Sequence, residues 1–128
     1  MNVDEWVGAY RTAWENRDPE AAAALFTTES SYRAHILEEP HRGREGVAAY
    51  WGSVTESQSE VTVRMGRPFL DGSRVAVEFW TTMRVSGDPV TLPGCLLLEF
   101  DAEGLCRSLR EYWHFVEGHS EPPAGWGE

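Results

Sequence analysis

The chain has 128 residues with a formal charge of -10, and 41% of its residues are hydrophobic and 12% aromatic. That length suits a single domain with its own core, and the acidity repels phosphate backbones and anionic lipid, which excludes nucleic acid and membrane surfaces as expected partners. Cys95 and Cys106 are the only cysteines and have neither CxxC spacing nor a local His cluster, so no disulfide framework and no metal site is expected. The N-terminal "MNVDEWVGAY" lacks a basic stretch followed by an apolar run, and no long apolar segment occurs, which predicts a cytoplasmic protein.

Trp6, Val7, Tyr10, Ala13 and Trp14 recur at helical spacing behind Asp4 and Glu5, predicting a first helix from Val3 to Asn16. Asp18 then caps and Pro19 opens a short second helix that runs through the alanines to Phe26. "TTESSYRAHILEEPHRG" reads as a strand or extended arm ending in a turn at Pro40 to Gly43. In "REGVAAYWGSV", Val47, Tyr50, Trp51 and Val54 share one stripe, the mark of a third, amphipathic helix.

From "EVTVRMG" onward, strand-like runs alternate with Gly and Asp turns, the pattern of an antiparallel meander. Helices followed by a sheet make an α+β domain with the helices packed on one face of a curved sheet. The whole chain is one domain, its core spanning about residues 4 to 116, and the Gly-, Pro- and Glu-rich tail "VEGHSEPPAGWGE" is expected on the surface or mobile.

The last strand, "SLREYWHF", raises the functional question. Alternation sends Leu109, Glu111, Trp113 and Phe115 to one face and Arg110, Tyr112 and His114 to the other, so Glu111 stands in apolar company. Such a carboxyl group is either held by a Tyr hydroxyl, a Trp N–H or an Arg, or kept free for acid–base chemistry at a pKa raised by desolvation. "EYWH" is not a Glu–His pair, because His114 points away from Glu111.

The order of elements, with "AYRTAWENRDPEAAAALFTTESSYR", "PHRGREGVAAYW" and "FDAEGLCRSLREYW", resembles the nuclear transport factor 2-like superfamily and its SnoaL-like polyketide cyclases, ketosteroid isomerases and limonene epoxide hydrolases. The resemblance runs from about Asp4 to Phe115. It implies a cone-shaped, cystatin-like α+β barrel in which a curved antiparallel sheet wraps around the N-terminal helices and encloses a cavity, with a dimer formed through the outer sheet face. It does not by itself imply a reaction.

Carried over residue by residue, the helix tyrosine of a ketosteroid isomerase matches Tyr10, while its general base falls on Ala34 and its protonated acid on Leu96. Steroid isomerisation therefore lacks its parts. The inward positions of the long middle strand are Val77, Phe79, Thr81 and Met83, none of them ionisable, so the epoxide hydrolase arrangement is missing too.

What remains is Glu111 as acid or base, with His35 and Tyr10 as further catalytic candidates. Trp14, Tyr32, Tyr50, Trp51, Phe79, Thr81 and Trp113 are the expected ligand contacts. The expected ligand is a small apolar or aromatic molecule, and no metal or organic cofactor is called for. Three readings stay open: a cofactor-free cyclase, isomerase or hydratase; a non-catalytic carrier or sensor; and a dimeric interaction module. On the opposite sheet face, Trp80, Leu97 and Tyr112 form an apolar patch rimmed by charge, which predicts a homodimer.

Overall fold

The computed structural model describes all residues from Met1 to Glu128. Helix α1 (Val3–Glu15) starts at a capping box: the Asn2 side chain accepts from the Glu5 backbone N–H, and the Glu5 carboxylate accepts from the Asn2 N–H. Helix α2 (Pro19–Ala23) begins where the Asp18 carboxylate accepts from Ala21 N–H. Strand β1 (Phe26–Arg33), the two-residue β2 (His41–Arg42) and helix α3 (Gly43–Thr55) follow. The rest is β3 (Gln58–Met65), β4 (Phe69–Asp71), β5 (Arg74–Val85), β6 (Asp88–Phe100), β7 (Cys106–Trp113) and β8 (Val116–Glu117).

These strands form one sheet in the order β2-β1-β7-β6-β5-β3, with β4 added to β5 and β8 to β6. The α+β architecture with a curved sheet against the N-terminal helices is as expected, and two details of the sheet differ. Strand β1 runs parallel to β7, so the sheet is mixed. No pairing joins β2 to β3, so the curved sheet is unclosed. The parallel pair is possible because α3 and the whole meander intervene between β1 and β7, giving the chain room to return in the same direction.

The β5–β6 hairpin turns through Ser86 and Gly87, at φ of 51° and 87°, the two-residue turn whose twist suits an antiparallel pair. That turn sets the register of a long ladder. Along β5, Val75, Val77, Phe79, Thr81 and Met83 are buried while Glu78, Trp80, Thr82 and Arg84 are half-buried. On β6, Leu96, Leu98 and Phe100 share the buried face, and on β7 Leu109 and Glu111 do. Helix α1 lays Trp6, Tyr10, Ala13 and Trp14 into that face, with Trp6 stacked on Tyr10 at 5.1 Å between centroids.

The tail is anchored to the opposite face. Trp80 Nε1–H donates to the Ser120 carbonyl at 2.9 Å, the Trp126 ring meets Trp80 edge-on at 5.8 Å, and the Arg64 guanidinium lies 5.2 Å from the Trp126 ring. Arg67 N–H donates to the Gly127 carbonyl, and Thr91 Oγ1 both donates to Gly118 O and accepts from Ser120 N–H. Trp80 therefore lies beneath the chain's own C-terminus. Leu97, which pairs with Ala76 further along the ladder, is half-buried, and Tyr112 is exposed.

Candidate functional site

Between α1, α3 and the inner face of the sheet lies a pocket of about 260 Å³. Tyr10 and Trp14 reach it from α1, Tyr50 and Trp51 from α3, Tyr32 from β1, and Glu111 and Trp113 from β7. His35 borders it from the loop after β1, its ring edge-on to Trp113 at 5.3 Å. Phe115 borders it just beyond the end of β7 and is 55% exposed.

Two sequence-chosen residues lie elsewhere. Phe79 and Thr81 are fully buried and do not line the pocket. Their inward direction is right, but Phe79 packs against Trp14 at 5.5 Å and lies over Gly94, where a side chain would collide with its ring. Thr81 Oγ1 is buried without a hydrogen-bond partner.

Most polar atoms of the aromatic lining are already engaged. The Tyr10 and Tyr32 hydroxyls bond each other at 3.2 Å, and Trp51 Nε1–H donates to the Tyr32 hydroxyl at 3.3 Å. Trp14 Nε1–H donates to Gln58 Oε1 at 3.0 Å, and Trp113 Nε1–H to the Ala34 carbonyl at 2.8 Å. The Tyr50 hydroxyl and the Glu111 carboxyl group make no hydrogen bond within the protein, nor does any Arg pair with Glu111. They are left for a ligand to meet, as are one O–H of the Tyr10–Tyr32 pair and the His35, Ser57 and Gln58 side chains.

Glu111 is 9% exposed. Burial alone raises its pKa from the ordinary 4.5 to about 8, so it holds its proton at neutral pH. The Tyr10, Tyr32 and Tyr50 hydroxyls are pushed up as well, first by burial and then by the nearby Glu111 charge, which keeps them as hydrogen-bond donors. No three His, Cys, Asp or Glu side chains converge anywhere in the chain.

Sequence reasoning missed Gln58, which begins β3 ahead of its apolar run, and His41, whose ring backs Tyr50 at 4.5 Å. His41 reaches Tyr50 because β2 pairs Tyr32 with His41, a contact no periodicity announces. Ala34 and Leu96 are both buried, and Leu96 stands directly opposite Glu111 in the β6–β7 ladder.

No curated protein matches the sequence. Several solved structures share the fold. A hypothetical protein with a ketosteroid isomerase-like fold from Catenulispora acidiphila, in complex with trimethylamine, is 24% identical over 87% of this chain and 86% of that one, at a TM-score of 0.77. SalBIII, an epoxide hydrolase/cyclase-like enzyme of pyran ring formation in the polyether salinomycin, is 22% identical over 89% and 94%, at 0.76. An LEH-like epoxide hydrolase from M. tuberculosis is 21% identical over 86% and 80%, at 0.71. At these identities the likeness is one of fold. The model of the SnoaL-like domain matches residues 7–109, stopping short of Glu111. The chain belongs to the SnoaL-like domain family.

Proposed function

We propose that the protein binds a small, largely apolar molecule with an oxygen function in this pocket and isomerises or cyclises it by proton transfer through Glu111, without metal or organic cofactor. One observation carries the reading: a carboxyl group with no protein partner stands on the wall of an aromatic pocket and keeps its proton at neutral pH. A purely structural glutamate in that position would be expected to have its hydrogen-bonding capacity met.

The chemistry closes on itself. Protonated Glu111 donates to a carbonyl, ether or epoxide oxygen of the ligand, and a hydroxyl or an adjacent C–H of the same molecule completes the rearrangement. The proton it releases returns to the Glu111 carboxylate, so nothing is consumed. The Tyr50 hydroxyl, which also lines the pocket without a protein partner, is a further donor for that oxygen. The volume, about 260 Å³, falls just under the roughly 300–1,000 Å³ of common ligand pockets and suits a molecule below drug size. Proteins of this fold include an epoxide hydrolase/cyclase-like enzyme and one in complex with trimethylamine, so their ligands extend from oxygenated molecules to amines.

Screening small oxygenated molecules by tryptophan fluorescence, then assaying those that bind, tests the reading. Glu111→Gln should retain fold and binding but lose at least about 100-fold in turnover. For the wild type, kcat/KM should fall as pH rises through about 8, as an acid needed in its protonated form requires. Unchanged turnover in Glu111→Gln would remove Glu111 from the chemistry and leave His35 as the remaining candidate.

A further inference from the structure

Tyr10, Trp14 and Trp51 stand nearly perpendicular to one another. Their interplanar angles are 79°, 84° and 67°, with centroids 5.4 to 6.3 Å apart. They pack edge to face as the buried floor of the pocket, and all three rings line it together with the half-buried Tyr50 and Trp113. The lining contains one acid, Glu111, and no Arg, with His35 at the mouth as its other ionisable group besides the tyrosines. A pocket with aromatic walls, one carboxyl group and no built-in cation can satisfy a positively charged guest from both sides, by ring quadrupole and by charge. An anion would find neither. The chain's net charge of -10 draws cations toward it as well.

We infer that the pocket takes small alkylated ammonium ions, seated on its aromatic lining between the Tyr10, Trp14 and Trp51 floor and the Tyr50 and Trp113 rings, with the Glu111 carboxylate as counter-ion. The inference rests on the binding half of the function proposed above, that the pocket admits a ligand, and is independent of turnover. It names a charged class of guest where that reading names a neutral one.

The pH dependence has a fixed sign. The empty site keeps its Glu111 proton up to about pH 8 because the group is buried. A seated cation favours the carboxylate, so binding below that pH releases a proton. Within this pocket Glu111 is joined by Tyr10 on α1, Tyr32 on β1, Tyr50 on α3 and His35 on the loop after β1, with Leu96 opposite on β6, while Glu38, Glu78, Cys95 and His114 border a second pocket that Glu111 also touches. The three tyrosines stay neutral through this range.

Calorimetry on the full chain at constant ionic strength would compare tetramethylammonium, whose charge is permanent, with the neutral neopentyl alcohol. Affinity for tetramethylammonium should rise up to about tenfold per pH unit between about pH 6 and about pH 8 and then level off, while that for neopentyl alcohol should not rise. At about pH 8.5 the cation should bind at least tenfold more tightly than the alcohol. The rise must persist in His35→Gln and vanish in Glu111→Gln, which should retain the alcohol. A cation that binds no better than the alcohol at the higher pH, or a preference that survives Glu111→Gln, overturns the inference and leaves the oxygenated-ligand reading standing. Failure of both probes and of every screened ligand to bind overturns the two together.

Discussion

Glu111 sits in the middle of β7 between Leu109 and Trp113, where an apolar side chain would pack at no electrostatic cost. Its raised pKa therefore has a consequence for stability as well as for chemistry. The folded state holds the proton up to about pH 8 and the unfolded chain releases it near 4.5, so between these values the native state binds more protons and stability falls as pH rises. The slope contributed by this one group approaches roughly 1.4 kcal/mol per pH unit, which is large for one side chain. Urea unfolding of wild type and Glu111→Gln across that window should show the wild type losing stability relative to the variant and the difference levelling off above about pH 8. Parallel curves would mean that the carboxyl group ionises in the fold as it does in water. The direction of Glu111 was legible in "SLREYWHF" from alternation alone. Its lack of partners was not, because the Tyr10–Tyr32 and Trp51–Tyr32 bonds that turn nearby polar groups toward one another join three separate elements.

At the scale of elements, what could be read was what is local. Asp4 and Glu5 ahead of an apolar stripe, Asp18 with Pro19, and the alternation along β5 each depend on residues within a few turns or one strand, and they place α1, α2 and the sheet faces. The parallel β1–β7 pair depends on strands at opposite ends of the chain, and β2 is too short to leave a pattern. The same limit hid the exclusion of Phe79 from the pocket wall. Gly94, opposite Phe79 on β6, leaves its inward site empty, and the Phe79 ring fills that space. A methyl group at Gly94 would overlap that ring and lie 2.8 Å from the Tyr112 carbonyl oxygen, so neither neighbour can give way cheaply. Gly94→Ala should cost about 1–3 kcal/mol in chemical denaturation, as overpacked cores do. It should also alter ligand binding, since Phe79 packs directly against Trp14. A variant of wild-type stability would show that the β6 backbone shifts freely there.

The outer sheet face is shared between the tail and whatever else the molecule meets. Trp126, Ser120 and Gly127 hold the tail over Trp80 and the β3–β5 side. This leaves Tyr112 and Phe69 exposed and Leu97 half-buried on the rest of the outer face. Phe69, Leu70 and Leu97 line one groove together with Arg74, Arg110 and Glu99, an apolar strip edged by both signs of charge, which suits a self-complementary contact. A homodimer on this face, which we propose, would use the strip around Leu97 and Tyr112 and carry the docked tail at its margin, with Trp80 contributing through the tail. A stable dimer needs roughly 1,200–2,000 Å² of buried surface with its energy concentrated near the centre, so the contact should be weakened by one charge there. Wild-type protein should sediment as a dimer at micromolar concentration. Tyr112→Glu, on an exposed side chain that leaves the fold intact, should shift it to monomer. Trp126→Ala, by contrast, should free the tail, seen as faster hydrogen exchange at the Arg67 and Ser120 amides, while the dimer persists. If the wild type sediments as a monomer, the face serves the tail alone; if Trp126→Ala also dissociates the dimer, the tail is part of the interface and not its margin.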